Sequence, residues 1–158
     1  MIINEIGIEE TTKFFLEDPK LCVMGLPDNY LYYLDKHKTF PATPGEVVYG
    51  LYKDNQIVAT IMFQEHDKNT VVMHFYLSTN NLRKNIVRRF YPVIEEMLTK
   101  EYTQKEVMVA IPQSCLHVME VVQAIGFQFK KTIVDGITWR GAIEDLHYYK
   151  TKINKENK

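Results

Sequence analysis

Residues 70–77 read TVVMHFYL, residues 78–81 read STNN, and residues 82–101 read LRKNIVRRFYPVIEEMLTKE. The first stretch is apolar and rich in β-branched and aromatic residues, which is typical of a strand. The second consists of residues that favour turns and helix caps. The third has apolar residues at steps of three and four: Ile86, Phe90, Val93, Ile94 and Met97. We predict a helix from about Leu82 to Glu101, which Pro92 either kinks or divides.

Two further strands are predicted before this stretch. Residues 46–52 read EVVYGLY and residues 57–64 read IVATIMFQ. Short polar turns at residues 53–56 and 66–69 join them to each other and to residues 70–77. The pattern predicts a three-stranded antiparallel meander.

The pattern changes again after residue 101. Residues 107–111 read VMVAI, a short and wholly apolar run that is typical of a central buried strand, and Pro112 ends it. A helix is predicted from Leu116 to Ile125, and Gly126 is suited to the left-handed conformation that ends helices. The last strand region covers residues 127–134 and 137–153, with Asp135-Gly136 predicted to break it.

The N-terminal quarter is predicted to be mainly helical. A short strand at residues 2–6 precedes a helix over residues 8–18, with Ile8, Thr12, Phe15 and Leu16 on one face. A second helix is predicted over residues 28–38, with Asp28 as its N-cap, and residues 39–45 form a loop. The whole order predicts an α/β (α+β) fold in which helices cover a mixed sheet.

Composition narrows the class of protein. A chain of 158 residues with a formal net charge of −1 lacks the basic excess of a dedicated nucleic-acid binder. Two isolated cysteines, Cys22 and Cys115, fit a reducing compartment and offer no metal-ligand spacing. No signal peptide or membrane-spanning run is recognised, so we expect a cytoplasmic protein. Residues 1–153 are expected to form a single domain and residues 154–158 a disordered tail.

The element order, the apolar strand at residues 107–111 and the helix that ends in Gly126-Phe127 resemble the GNAT (Gcn5-related N-acetyltransferase) superfamily. Residues 141–149, GAIEDLHYY, are similar to the terminal strand of that family. Within it the chain looks most like small acetyltransferase-like proteins of tailed bacteriophages, which often carry a strand like Val72-Met73-His74-Phe75. The resemblance implies a GNAT-like mixed, mostly antiparallel sheet with helices on both faces. It also implies transfer of an acyl group from acetyl-CoA, or another acyl-CoA, to a small-molecule or protein amine.

The resemblance also implies where the coenzyme binds. By position, the coenzyme residues are the following: Tyr76, Leu77, Arg83, Lys84, Asn85 and Ile86. The chain departs from the sequence pattern of the family in two places. The stretch that corresponds to the family's glycine-containing phosphate loop, residues 77–86, has no glycine. Cys115 and Val122 occupy the positions where the family tends to place an asparagine and a proton-donating tyrosine.

His74 is the candidate catalytic residue. A histidine with a pKa of about 6.5 can take a proton from an attacking amine, directly or through water. The alternative is a half-buried histidine that is hydrogen-bonded to a neighbouring strand. Glu65 and His66 are either a base at the end of a strand or solvated turn residues.

Three other groups have both a functional and a structural interpretation. Cys115 and His117 are either a thiol activated by a helix terminus or a buried thiol beside an unrelated histidine. A basic cluster either binds phosphate or forms the solvated face of a helix: Arg83, Lys84, Arg88 and Arg89. An aromatic set either lines an acceptor pocket or packs in the core: Tyr30, Tyr32, Tyr33 and Phe40.

Three functions therefore remain open. The first is acyl transfer to an amine, with a backbone oxyanion site at the end of residues 70–77. The second is a catalytically degenerate GNAT-fold binding or assembly protein, which a homodimer would support. The third is nucleic-acid binding through the basic cluster, against which the overall charge argues.

Overall fold

The computed structural model describes residues 2–79 and 86–153. Within those ranges the chain forms the following elements in order: β1 (Ile2–Glu5), α1 (Ile8–Leu16), α2 (Pro19–Gly25), α3 (Asp28–His37), β2 (Glu46–Lys53), β3 (Gln56–Glu65), β4 (Thr70–Leu77), α4 (Ile86–Glu101), β5 (Glu106–Pro112), α5 (Leu116–Ala124), β6 (Gln128–Trp139) and β7 (Ala142–Lys152). None of the described helices is long and apolar enough to cross a membrane.

The strands form a seven-stranded sheet in the order β1-β2-β3-β4-β5-β7-β6. β4 and β5 pair in parallel, whereas β1–β2, β2–β3, β5–β7 and β6–β7 pair antiparallel. The mixed, mostly antiparallel sheet with helices confirms the predicted fold class. β4 has the bounds that its sequence predicts.

The described chain divides into two compact units. One holds residues 2–64 with residues 74–79, and the other holds residues 65–73 with residues 86–153. The division falls within β4. The expectation of a single domain over residues 1–153 stays a prediction, and the predicted tail at residues 154–158 lies outside the described residues.

In the first unit, α1 to α3 bury an aromatic core against the sheet. The Phe15 ring stacks on Phe40 with centroids 4.8 Å apart and meets Tyr76 edge-on at 5.2 Å. Met62 of β3 belongs to the same cluster. Gly25 ends α2 close to Tyr76, because a Cβ atom at Gly25 would lie 3.3 Å from Tyr76 Cδ1. These contacts fix one face of β3 and β4 as the helix-covered face.

In the second unit, β5 is central and α5 ends as its glycine predicts. Gly126 has a φ of +109°. The Gly126 N–H donates to the Gln123 carbonyl at 3.1 Å, and the Phe127 N–H donates to the Val122 carbonyl at 2.9 Å. These two bonds are the Schellman arrangement of a helix C-terminus. α4 continues through Pro92 without a break, so the kink-or-divide alternative resolves to an undivided helix.

Three details of the N-terminal prediction are wrong. α1 buries Thr11, Phe14 and Phe15, whereas Ile8 and Leu16 are each 42% exposed. Both sets have helical spacing, and the docking of α1 on the sheet selects between them. α2 was not predicted, although Pro19 at its first turn is suited to start it. The N-cap of α3 is Pro27 rather than Asp28.

The predicted break at Asp135-Gly136 is also wrong. β6 continues through these residues with a register shift between Ile133 and Ile137. The Asp135 N–H donates to Asp145 Oδ1 at 3.0 Å. This side-chain acceptor replaces the ladder partner that the Asp135 N–H loses at the bulge. The hairpin turn lies instead at Arg140-Gly141, where both residues have positive φ.

Candidate functional site

β4 and the residues just after it form the core of the candidate site. The Ser78 N–H donates to the Val58 carbonyl at 2.9 Å, and the His66 N–H donates to the Thr70 carbonyl at 3.0 Å. Both bonds have the same antiparallel register, so β4 runs beside β3 without a bulge. Because strand side chains alternate, His74 shares the helix-covered face with Tyr76.

His74 is half-buried, and burial lowers the pKa of its imidazole. The ring is therefore neutral at neutral pH and can accept a proton. Within residues 2–79 and 86–153 no hydrogen-bond partner is found for the ring, and the choice between a catalytic and a structural histidine stays a prediction.

Tyr76 and Leu77 are both buried. The Tyr76 ring is packed inside the aromatic core, and burial raises the pKa of its phenol. Only main-chain atoms of these two residues are therefore suited to contact a coenzyme. Their assignment to the coenzyme site stays a prediction.

The first two amides after β4 already have partners in the chain. The Ser78 N–H is used by β3, and the Thr79 N–H donates to Asp18 Oδ2 at 2.8 Å. The Thr79 hydroxyl donates to Asp18 Oδ1 at 2.7 Å. Any amides that hold a diphosphate must therefore come later in the chain than Thr79.

Asp18 is positioned by its place in the sequence. It is the N-cap of α2, directly before Pro19, and its Oδ1 accepts the Leu21 N–H at 3.3 Å. Burial opposes ionisation, but the hydrogen bonds from Thr79, Leu21 and Ser78 outweigh it and lower the pKa of the carboxyl. The Asp-Pro pair signals a helix start, yet nothing in the sequence links Asp18 to Thr79.

The predicted phosphate-binding residues are only partly described. Arg83, Lys84 and Asn85 lie outside the described residues, and Ile86 begins α4. The remaining two members of the basic cluster, Arg88 and Arg89, are exposed on the first turns of α4. The phosphate-binding role stays a prediction.

Cys115 does not have the low thiol pKa that a helix terminus can produce. It is the N-cap of α5, and burial raises the pKa of its thiol. His117 is exposed. Desolvation and the Glu144 carboxylate outweigh the lowering effects of Ser114 and Arg140, so the thiol pKa shifts in the opposite direction to that of an activated thiol.

Both cysteines are expected to react slowly with a disulfide reagent such as DTNB at pH 8 in the native protein. Burial raises the pKa of Cys22 to about 11, and its thiol donates to the Phe15 carbonyl at 3.1 Å. Only about a thousandth of such a thiol is ionised at pH 8. The guanidinium-unfolded chain is the control, in which both thiols react fast. A rapid native phase from one thiol would contradict the expectation.

The remaining candidates are dispersed. Glu65 and His66 are exposed at the end of β3. Tyr32 is 68% exposed and Tyr33 packs on the His37 ring. Val122, at the position of the family's tyrosine, is buried.

A cavity of about 190 Å³ opens in the first unit beside the start of β2. Its walls include Phe40, which the sequence suggested as a residue of an acceptor pocket, and Glu46, which the sequence did not suggest. The Tyr30 hydroxyl lies 3.2 Å from the Thr43 hydroxyl, and Thr43 is a further wall residue. No sequence signal marks Glu46, since a glutamate at the start of a strand is usually solvated.

Comparison with solved structures supports the fold. The chain superposes on the ribosomal-protein-S5-alanine acetyltransferase of Vibrio fischeri with a TM-score of 0.72 and 15% identity, covering 96% of this chain and 92% of that one. A mutant of the spermidine N-acetyltransferase SpeG from Vibrio cholerae gives a TM-score of 0.73 at 8% identity, with 98% and 96% covered. A probable acetyltransferase from Staphylococcus epidermidis gives 0.67 at 14% identity, with 97% and 99% covered.

No curated protein sequence is significantly similar to this chain. The family model described as the acetyltransferase (GNAT) domain matches residues 32–145, which is well over half of the chain and includes β2 to β5. Together with the order of the strands, this match shows that the chain belongs to the GNAT acetyltransferase domain family.

Proposed function

We propose that this GNAT-family chain transfers an acetyl or other acyl group from acyl-CoA to an amine acceptor, with His74 taking the amine proton. The observation that carries the proposal is the length of β4. Its parallel ladder with β5 covers Thr70–Val72 and Glu106–Met108, and the strand then continues to Leu77. Strand N–H groups that no ladder uses can hold a thioester carbonyl and stabilise its oxyanion.

The proposed reaction needs few catalytic groups from the protein. The amine nitrogen must lose a proton as it attacks the thioester carbon, and the C–S bond then breaks to release the thiol of coenzyme A. A neutral His74 supports the first proton transfer. Since Val122 cannot donate a proton, water is the proposed donor to the departing thiolate. The acyl-CoA donor and the two free cysteines fit a reducing, cytoplasmic setting.

Coenzyme binding is the direct test. We expect acetyl-CoA at millimolar concentration to raise the melting temperature and to give a calorimetric binding isotherm, because a ligand of the native state stabilises it by mass action. Coenzyme A without the acyl group is the matched ligand, and ATP is the control for non-specific phosphate binding. Absence of both heat and thermal shift with acetyl-CoA would overturn the proposal.

A second candidate function is a GNAT-fold binding protein without catalysis. The specific observation in its favour is that Ser78 and Thr79 have both their amides satisfied by the protein. The two functions differ in one measurement. A catalyst releases free thiol from acetyl-CoA when an amine is added, whereas a binding protein does not.

A further inference from the structure

The cavity beside β2 has an acidic lining. Glu5 and Glu46 both line it, but Glu5 pairs with Tyr49 in the β1–β2 ladder, so its side chain lies on the other face of the sheet from that of Glu46. Thr11 and Thr43 are polar neutral lining residues, and the lining residues that the structure describes include no Lys, Arg or His. The apolar part of the wall includes Val47 and Val48, and Phe40, whose ring is packed against Phe15 and Tyr30. A cavity of about 150 Å³ is large enough for benzene, so the volume of about 190 Å³ admits a short alkyl chain.

Among the described residues, Glu46 has no cationic partner. It is half-buried and, within the described ranges, forms no salt bridge. Burial raises the pKa of its carboxyl. Among the described residues, Tyr76 and His74 of β4 are titratable groups on its face of the sheet, and Tyr30 of α3 interacts with Tyr76. The phenols are neutral at neutral pH, and burial lowers the pKa of His74, so that its ring is neutral there as well.

Glu46 also lies on the same side of the sheet as His74. Val48 packs against the core cluster that contains Met62 and Tyr76. Val48 pairs with Met62 in the β2–β3 ladder. By alternation Glu46 shares the face of Val48, and His74 shares the face of Tyr76. A half-buried carboxylate and the candidate base therefore belong to one face of one unit.

We propose that this cavity binds an alkylammonium group of the acyl acceptor and that Glu46 is the carboxylate that receives it. The inference rests on the proposed function, since it assigns the class of acceptor to the same unit. An ammonium group supplies the missing counter-charge, and its alkyl chain packs against the apolar residues of the cavity wall, which include Val47 and Val48.

The test is binding of 1,4-diaminobutane to the full chain by calorimetry, without acyl-CoA. We expect the diamine to bind the wild type and to bind the Glu46→Gln variant at least about tenfold more weakly. We expect 1,4-butanediol not to bind. Glu65→Gln removes an exposed carboxylate at the end of β3 and is the matched control. Equal binding by Glu46→Gln and the wild type, equal binding of the diol, or no binding of the diamine would each overturn the inference.

Folding of the variant is checked separately. A carboxyl whose pKa is raised by folding makes the native protein less stable as the pH rises from the unfolded pKa of the group through its folded pKa. Glu46→Gln is therefore expected to melt no lower than the wild type at pH 7, with its advantage vanishing below about pH 4.5. Diamine binding without any thiol release would contradict the proposed acyl transfer but not the diamine site. If Glu46→Gln releases thiol at the wild-type rate, the assignment of Glu46 is contradicted but the proposed acyl transfer is not.

Discussion

Replacing His74 by glutamine is expected to lower kcat for acetyl transfer by about 100-fold, because positioned proton transfer contributes about 10²–10⁴ to a rate. Glutamine retains most of the volume and polarity of histidine but cannot accept the amine proton at neutral pH. The measurement is thiol release from acetyl-CoA at saturating amine. His66→Gln, at the exposed end of β3, is the control and should retain full activity.

The pH profile separates a catalytic role for His74 from a packing role. Burial holds the pKa of His74 below its ordinary value of 6.5. The acidic limb of the wild-type kcat profile should therefore have its midpoint below pH 6.5, where the imidazole becomes protonated. The His74→Gln variant should lack this acidic limb. A variant with wild-type kcat, or with the limb retained, would show that another group takes the proton.

Replacing Asp18 by alanine is expected to destabilise the protein by about 2 kcal/mol, or about 4–8 °C in melting temperature. The change removes the N-cap of α2 and leaves the Thr79 N–H and hydroxyl without their acceptor. Thermal and urea unfolding measure the effect. Asp35→Ala is the matched control, since Asp35 is 88% exposed in its ion pair with Lys38 and should change stability by less than about 0.5 kcal/mol.

The same residue predicts a dependence of stability on acid. The pKa of Asp18 is lowered in the folded state from an ordinary value of 3.8. A carboxyl of this kind contributes stability above its unfolded pKa, and the contribution is lost as the pH falls through its folded pKa. The difference in unfolding free energy between the wild type and Asp18→Asn should thus be constant above about pH 5 and shrink below pH 3.8. A difference that does not change with pH would mean that the charge of Asp18 has no part in the contact.

The Asp18–Thr79 contact also bears on the strength of the proposed coenzyme binding. A carboxylate at the start of the stretch that corresponds to the family's phosphate loop holds the main chain in place, but it also brings a negative charge towards a region where a diphosphate is proposed to bind. If Asp18→Asn binds acetyl-CoA more tightly than the wild type, the repulsion outweighs the positioning. If it binds more weakly, the positioning outweighs the repulsion.

Local patterns in the sequence were sufficient for most of the elements. The bounds of β4 and the glycine that ends α5 could be read directly, because strand propensity and a left-handed helix terminus depend on a few adjacent residues. The order of these elements carried the resemblance to the GNAT family, and the family model over residues 32–145 confirmed it.

Only the tertiary structure decided which groups meet. Asp18 and Thr79 are 61 residues apart in the chain, and the buried face of α1 is not the predicted one. Glu46 is half-buried, although a glutamate at the start of a strand is usually solvated. Periodicity specifies that a face exists, whereas the packing of distant elements determines which face is buried and which polar groups lose their water. The sequence by itself therefore determined the family and the position of His74, and the fold determined the surroundings that set the charge of His74, Asp18 and Glu46.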